Sequence, residues 1–243
     1  MSGRLLETMT WVEAEVALHE VPVVLIPLGA RLKEHGHHLP LNNDWLMAEY
    51  LARRVMAESP VLVTPTVQYN YYPALINYAG SISIGLETSA ALVADICRSL
   101  ARHGGQRFYV LNTGVSTNQP LEMAREHLAA EGIKMQYLHL LDAMKEPGES
   151  VRQQQGGTHA DELETSMMLY LAPDVVQMDK AVPDYHPRMS AGPLTRDPNA
   201  TTGVYSPTGA WGDPTLATVE KGRVVVEALV KWIIDEVRTL AAA

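Results

Sequence analysis

The chain has 243 residues, 47% of them hydrophobic, which is enough to fill one large core and too many for a mainly disordered chain. With 19 Lys and Arg against 28 Asp and Glu the net charge is -9, so no nucleic-acid surface and no binding to anionic membranes is expected. One cysteine, Cys97, rules out an intramolecular disulfide and suits a reducing cytoplasm; the charged stretch 1–20 has no signal-peptide pattern, and Pro60, Pro65 and Pro73 break the longest uncharged run.

Taken in chain order, short apolar runs alternate with helix-length amphipathic segments. A strand over 22–28 precedes a helix over 44–58; a strand over 61–67 precedes a helix over 87–103; a strand over 107–112 precedes a helix over 118–131; a fourth strand covers 134–140. Gly104-Gly105 and Gly132 stand where helices should stop, and Asn42, Asn43 and Asp44 where one should start. Further helices are expected over 161–171 and 219–240, with an irregular Pro- and Gly-rich stretch over 173–218 between them. No linker or repeat divides the chain, so 1–243 reads as a single α/β domain with helices on both faces of a mostly parallel sheet. Ligands of such sheets bind beyond the carboxyl ends of the strands, which directs attention to the loops after Leu28, Val67 and Asn112.

The densest set of ligand-type side chains follows the first of these: Lys33, Glu34, His35, His37, His38 and Asp44. Imidazole with carboxylate suits zinc, manganese or iron, and cysteine clusters are missing. Asp44 is in helical register with Met47, Leu51 and Val55, and Glu164 with Met167, Met168 and Leu171, so each carboxylate sits on an apolar stripe and needs a cation, either a metal or an arginine. His159 and Asp161 lie within a turn of Glu164, as general acid/base chemistry beside a metal requires, although a cap and a helix-dipole partner would look the same. Thr117, after the turn of the third strand, and Tyr69, in the run Gln68 to Tyr72, are expected substrate contacts with Lys33. Cys97 and Ser166 read as helix interior rather than nucleophiles.

These stretches together resemble the creatininase (creatinine amidohydrolase) family, from about residue 22 to the C-terminus. The signature G-x-x-E-Q-H-G-x-H-L-P-x-x-x-D is similar to Gly29 through Asp44, H-A-G-E-x-E-T-S to His159 through Ser166, and G-x-x-G-D-P-x-x-A-T-x-E-K-G to Gly209 through Gly222; Gly80-Ser81-Ile82-Ser83 is similar to the family's G-T-x-S. The resemblance implies a three-layer α/β/α sandwich, commonly a homohexamer, with a divalent-metal site acting on amide or related bonds. It places His35, Asp44 and Glu164 at or near the metal ligands and His159 at the proton-shuttling histidine. Two departures stand out. The loop reads Lys33-Glu34-His35-Gly36 and is one residue longer, so the usual ligand glutamate is either lost to Lys33 or supplied by Glu34; and Val115 stands where a histidine is usual.

The expectation is therefore a cytoplasmic, homo-oligomeric hydrolase of a small polar cyclic amide, lactam or related ring, other than creatinine. It holds one zinc or manganese ion per subunit, iron being a further option, on His35, Asp44, Glu164 and optionally Glu34. Rival readings are a C–C hydrolase, lyase or isomerase of a polyhydroxylated cyclic ketone, and a scaffold that has lost catalysis.

Overall fold

The computed structural model describes residues 3–185 and 193–243. Five strands, Arg4–Leu5 (β1), Val23–Leu28 (β2), Val61–Val63 (β3), Arg107–Asn112 (β4) and Lys134–Tyr137 (β5), form a wholly parallel sheet in the order β1-β3-β2-β4-β5. Among the described residues seven α-helices accompany it: Trp11–Glu20 (α1), Asn43–Glu58 (α2), Leu86–Ala101 (α3), Asn118–Ala130 (α4), Leu140–Val151 (α5), Glu162–Leu171 (α6) and Val219–Ala242 (α7). Within 173–218, apart from residues 186–192, which lie outside the described residues, only 3-10 turns and the pair Leu194–Thr195 (β6) and Val204–Tyr205 (β7) interrupt irregular chain.

Strand alternation builds the three layers. Val23 and Leu25 of β2, with Tyr109 and Leu111 of β4, face a core shared with α2, α5, α6 and α7; Val24, Ile26 and Leu28, with Phe108 and Val110, face α1, α3 and α4. Both faces being covered explains why β2 is apolar at every position. The stripe Met47, Leu51 and Val55 is buried as its spacing predicts, and Cys97 is core.

Four local expectations need correction. The strand expected over 61–67 ends at Val63, Val67 making only an isolated bridge to Leu28. The strand expected over 134–140 ends at Tyr137, and α5 begins at Leu140. α5 itself was unanticipated: Pro147-Gly148 reads as a breaker, yet packing on α7 keeps the segment helical. α1 was also unanticipated, though its capping box of Thr10 and Glu13 is visible in the sequence.

Candidate metal centre

β3 flanks β2 on one side and β4 on the other, so the carboxyl ends of β2 and β4 open onto the crevice where the sheet's connections diverge. The loop leaving β2 is held there by backbone bonds from Gly29 to Val67, Arg31 to Gln68 and Lys33 to Leu41. Ser81 adds a hydroxyl contact to the Glu34 amide at 2.9 Å. Gly29 is required: a Cβ there would stand 2.3 Å from the Asp44 carbonyl oxygen. That carbonyl accepts the Thr113 hydroxyl at 3.0 Å, fixing the start of α2 against the end of β4. The cap residue Asn42 makes no side-chain cap, and Asp44, free of capping duty, turns inward and is fully buried.

His35 is the hub. Its Nδ1 lies 2.9 Å from the Lys33 carbonyl, and its Nε2 faces Asp44 Oδ1 at 2.7 Å and Glu164 Oε1 at 3.4 Å. Lys33 Nζ stands 2.6 Å from the other Asp44 oxygen, almost wholly buried. Glu164 is held by Asn43 Nδ2 at 3.0 Å and by the Ala160 amide at 2.7 Å. Ala160 has φ 48°, an uncommon value for a residue with a Cβ, and this turn lets His159 and Glu164 converge. The His159 backbone pairs with Trp211, which joins the 209–214 stretch to the site.

The charges are strongly interdependent. Burial opposes a charged Lys33, but Asp44 and Glu164 outweigh it and hold the ammonium above its usual range. Burial likewise opposes a charged His35, yet Asp44, acting against the Lys33 charge and helped by Glu164, raises it to about 9. Burial would lift Asp44 and Glu164; Lys33 and His35 for the first, His35 and His159 for the second, hold both well below the usual carboxylate range.

Ligand atoms of His35, His159 and Glu164 all lie within 4.8 Å of one another. With Asp44, whose Oδ1 is 2.7 Å from His35 Nε2, His35 and Glu164 make a donor set that fits a divalent ion, with His159 beside it. With Nδ1–H given to a backbone carbonyl, the Nε2 lone pair of a neutral His35 points at two carboxylates, a repulsive arrangement unless a proton or a metal lies between them. A cation replacing that proton satisfies all three groups.

The structure redistributes the expected roles. Lys33, not Glu34, meets Asp44, so the glutamate usual in the resembled motif is lost to lysine. Glu34 lies on the far side of His159, with Oε2 3.1 Å from Nε2, and its other oxygen accepts the Gly36 amide. It is thus not grouped with His35 and Glu164 as a ligand. Asp161 is the N-cap of α6, accepting the Leu163 and Glu164 amides at 3.0 Å and Gln154 Nε2 at 2.7 Å. Asp161 thus helps to position Glu164; it also lines the cavity, and burial raises its pKa to about 6. Thr117 is fully buried, bonded to Asn112 and Gly114, and Tyr69 is half-exposed beside Leu92 and Ile96; neither lines the cavity over the metal cluster. Ser116, Thr113 and Tyr72 line it instead, the last with its ring 5.6 Å from Lys33 Nζ.

His38 is a core residue, with Nε2 2.7 Å from the Thr165 hydroxyl, and burial lowers its pKa to about 4. Its neutral form is the one that fits. The unfolded chain therefore binds the extra proton first, and the stability this difference supplies is complete above about pH 6.5 and lost as pH falls toward 4. We expect His38→Gln to remove on the order of 3 kcal/mol of acid sensitivity over that window. Urea midpoints of both proteins at pH 7 and 4.5 measure it; an unchanged pH dependence in the variant contradicts the assignment.

The fold and this cluster together define a three-layer α/β/α protein with an imidazole–carboxylate cluster that could hold a metal ion. The family model for creatinine amidohydrolase matches residues 7–237. The chain is 31% identical over 250 residues to creatinine amidohydrolase of Pseudomonas putida, covering 95% of this chain and 94% of that one. It is 32% identical over 226 residues to a mycofactocin precursor peptide peptidase of Mycobacterium ulcerans (strain Agy99), covering 86% and 82%. A solved manganese creatininase superposes with a TM-score of 0.79 at 28% identity over 98% of both chains. The chain belongs to the creatininase family and is a hydrolase of the amidohydrolase type. No helix among the described residues is long and apolar enough to cross a membrane.

Proposed function

We propose that the protein is a metal-dependent amidohydrolase working with one divalent ion, zinc or manganese, held by His35, Asp44 and Glu164 beside His159. The observation that carries this reading is the His35 imidazole, anchored through Nδ1 to the Lys33 carbonyl and directed through Nε2 at two carboxylates, the buried Asp44 and the partly buried Glu164. When bound, the ion acidifies a water and polarises a carbonyl. The side chains do the rest. His159 donates Nε2–H to the Glu34 carbonyl at 3.0 Å and to its carboxylate at 3.1 Å, which fixes the tautomer and leaves Nδ1 to carry a proton to the departing amide nitrogen. The Lys33 ammonium, lining the same cavity, faces negative charge as it builds on the carbonyl oxygen. Water adds across the C–N bond, the acyl carbon keeping the hydroxyl and the nitrogen the proton.

A one-ion centre is favoured because Lys33 supplies a fixed positive charge at the second oxygen of Asp44 and Val115 offers no donor near it. The substrate we propose is an amide other than creatinine, in keeping with that altered charge pattern and the motif departures. Chelation followed by readdition of single metals tests the reading: amide hydrolysis is expected to disappear with about one ion per chain and to return with manganese or zinc. Full activity of a metal-free protein refutes it. Incorporation of one ¹⁸O from labelled water separates hydrolysis from isomerisation, which takes up none.

A further inference from the structure

The cavity over the metal cluster has a volume of about 300 Å³, and most of its wall is apolar. α5 runs along one side of it: Leu140 and Leu141 at the helix start, Met144 a turn later and Arg152 at the C-cap all line the space, which is roughly 18 Å of helix axis. Leu75 and Trp211 face it from other segments. A small polar ring would leave most of this wall in contact with water, whereas an extended apolar group would cover it, at about 25 cal/mol for each Å² removed from water.

Two cations border the cavity, and they differ. Lys33 is neutralised by Asp44 at 2.6 Å. Arg152 is exposed and has no side-chain hydrogen bond or ion pair among the described residues. The carboxylate it influences most clearly is Asp161, whose oxygens are already taken by the α6 amides and Gln154. In a chain with net charge -9, an uncommitted guanidinium at the end of an apolar channel is arranged for an anion, and its planar fork matches a carboxylate.

We propose that the substrate is a linear amide with an aliphatic or aromatic group and a free carboxylate, of the class of N-acylated apolar amino acids, and that Arg152 binds the carboxylate while α5 covers the apolar group. This replaces the expected small polar ring. It rests on the amidohydrolase reading for its reactive bond, but its recognition step can be measured without turnover.

The test is calorimetric titration of the metal-loaded protein with 4-phenylbutyrate, 4-phenylbutanamide and acetate. Acetate controls for carboxylate binding at the metal or Lys33. An ion pair to an exposed guanidinium contributes up to about 1 kcal/mol, so 4-phenylbutyrate is expected to bind roughly 2- to 5-fold more tightly than its amide, and more tightly still than acetate. Arg152→Gln should erase the preference for acid over amide and keep the preference for phenylbutyrate over acetate. Arg152→Lys should retain part of the first. Leu141→Asp should lose the second. Equal binding of acetate and phenylbutyrate, or an acid preference unaffected by Arg152→Gln, overturns the proposal. N-acetyl-L-leucine and N-acetylglycine are then compared as substrates. If the binding pattern holds and neither is hydrolysed with metal, the substrate class is overturned and only the anion-binding role of Arg152 stands. If the pattern is absent but simple amides are hydrolysed with metal, the recognition proposal fails and the amidohydrolase reading stands.

Discussion

Glu164→Gln is expected to abolish both metal retention and hydrolysis, with kcat/KM falling at least about 10³-fold, a loss of ~4 kcal/mol of transition-state stabilisation. The substitution keeps the volume and the helix and removes only the charge. Glu164 sits where three constraints meet: the Ala160 amide holds one oxygen at 2.7 Å, Asn43 holds the other at 3.0 Å, and His35 Nε2 lies 3.4 Å away. A carboxylate can accept from all of these and still face a cation, whereas an amide must present an N–H to one of the donors. Two consequences should appear together, an ion content near zero after dialysis and unaltered far-UV circular dichroism. A variant that keeps a full complement of metal shows that Glu164 is not a ligand; one that binds no metal but hydrolyses amides normally shows that the ion is not needed.

The neighbourhood of this residue also shows what the sequence could reveal. Burial of Asp44 was legible because helical periodicity puts its carboxylate in register with Met47 and Leu51, and an apolar stripe carrying a charge requires a partner; Glu164, in register with Met167 and Met168, is only partly buried, and the fully buried carboxylate of α6 is Glu162, paired with Lys221. The layers were legible because β2 and β4 are apolar on both faces. Direction within a loop was not. Lys33, Glu34 and His35 are consecutive, all buried, and point to three different places, which depends on the Gly29 close approach and the Ser81 contact, both tertiary. The local bonding of Asp161 and Thr117 was not legible for a related reason. Short polar side chains at helix starts and turns serve backbone amides and carbonyls as readily as ligands, and the local bonds they make depend on the folded structure. Arg152 carried no signal at all, since the helix that aims it at the cavity contains Pro147 and Gly148.

Lys33 is where this chain departs furthest from the motif it resembles, and its replacement should separate charge compensation from metal binding. In Lys33→Met the Asp44 oxygen that faced an ammonium at 2.6 Å loses that charge while remaining buried. Breaking a buried pair from one side costs about 3–5 kcal/mol, and the protonated His35 beside Asp44 keeps the loss near the lower figure. The metal-free variant should therefore melt at a clearly lower temperature, and added manganese should restore much of the difference by supplying the missing positive charge. Its kcat/KM should fall about 10²- to 10³-fold with ion content near one per chain, because a donor facing the carbonyl oxygen is gone and the ligands are not. Lys33→Glu carries the same logic further. A carboxylate in place of the ammonium removes the fixed charge beside Asp44 and adds a donor, so in excess manganese the ion content should rise above one per chain. Titration with metal-content analysis reads both effects. If Lys33→Met is fully active, the ammonium has no part in catalysis; if Lys33→Glu still binds a single ion, the lysine is not what limits the centre to one.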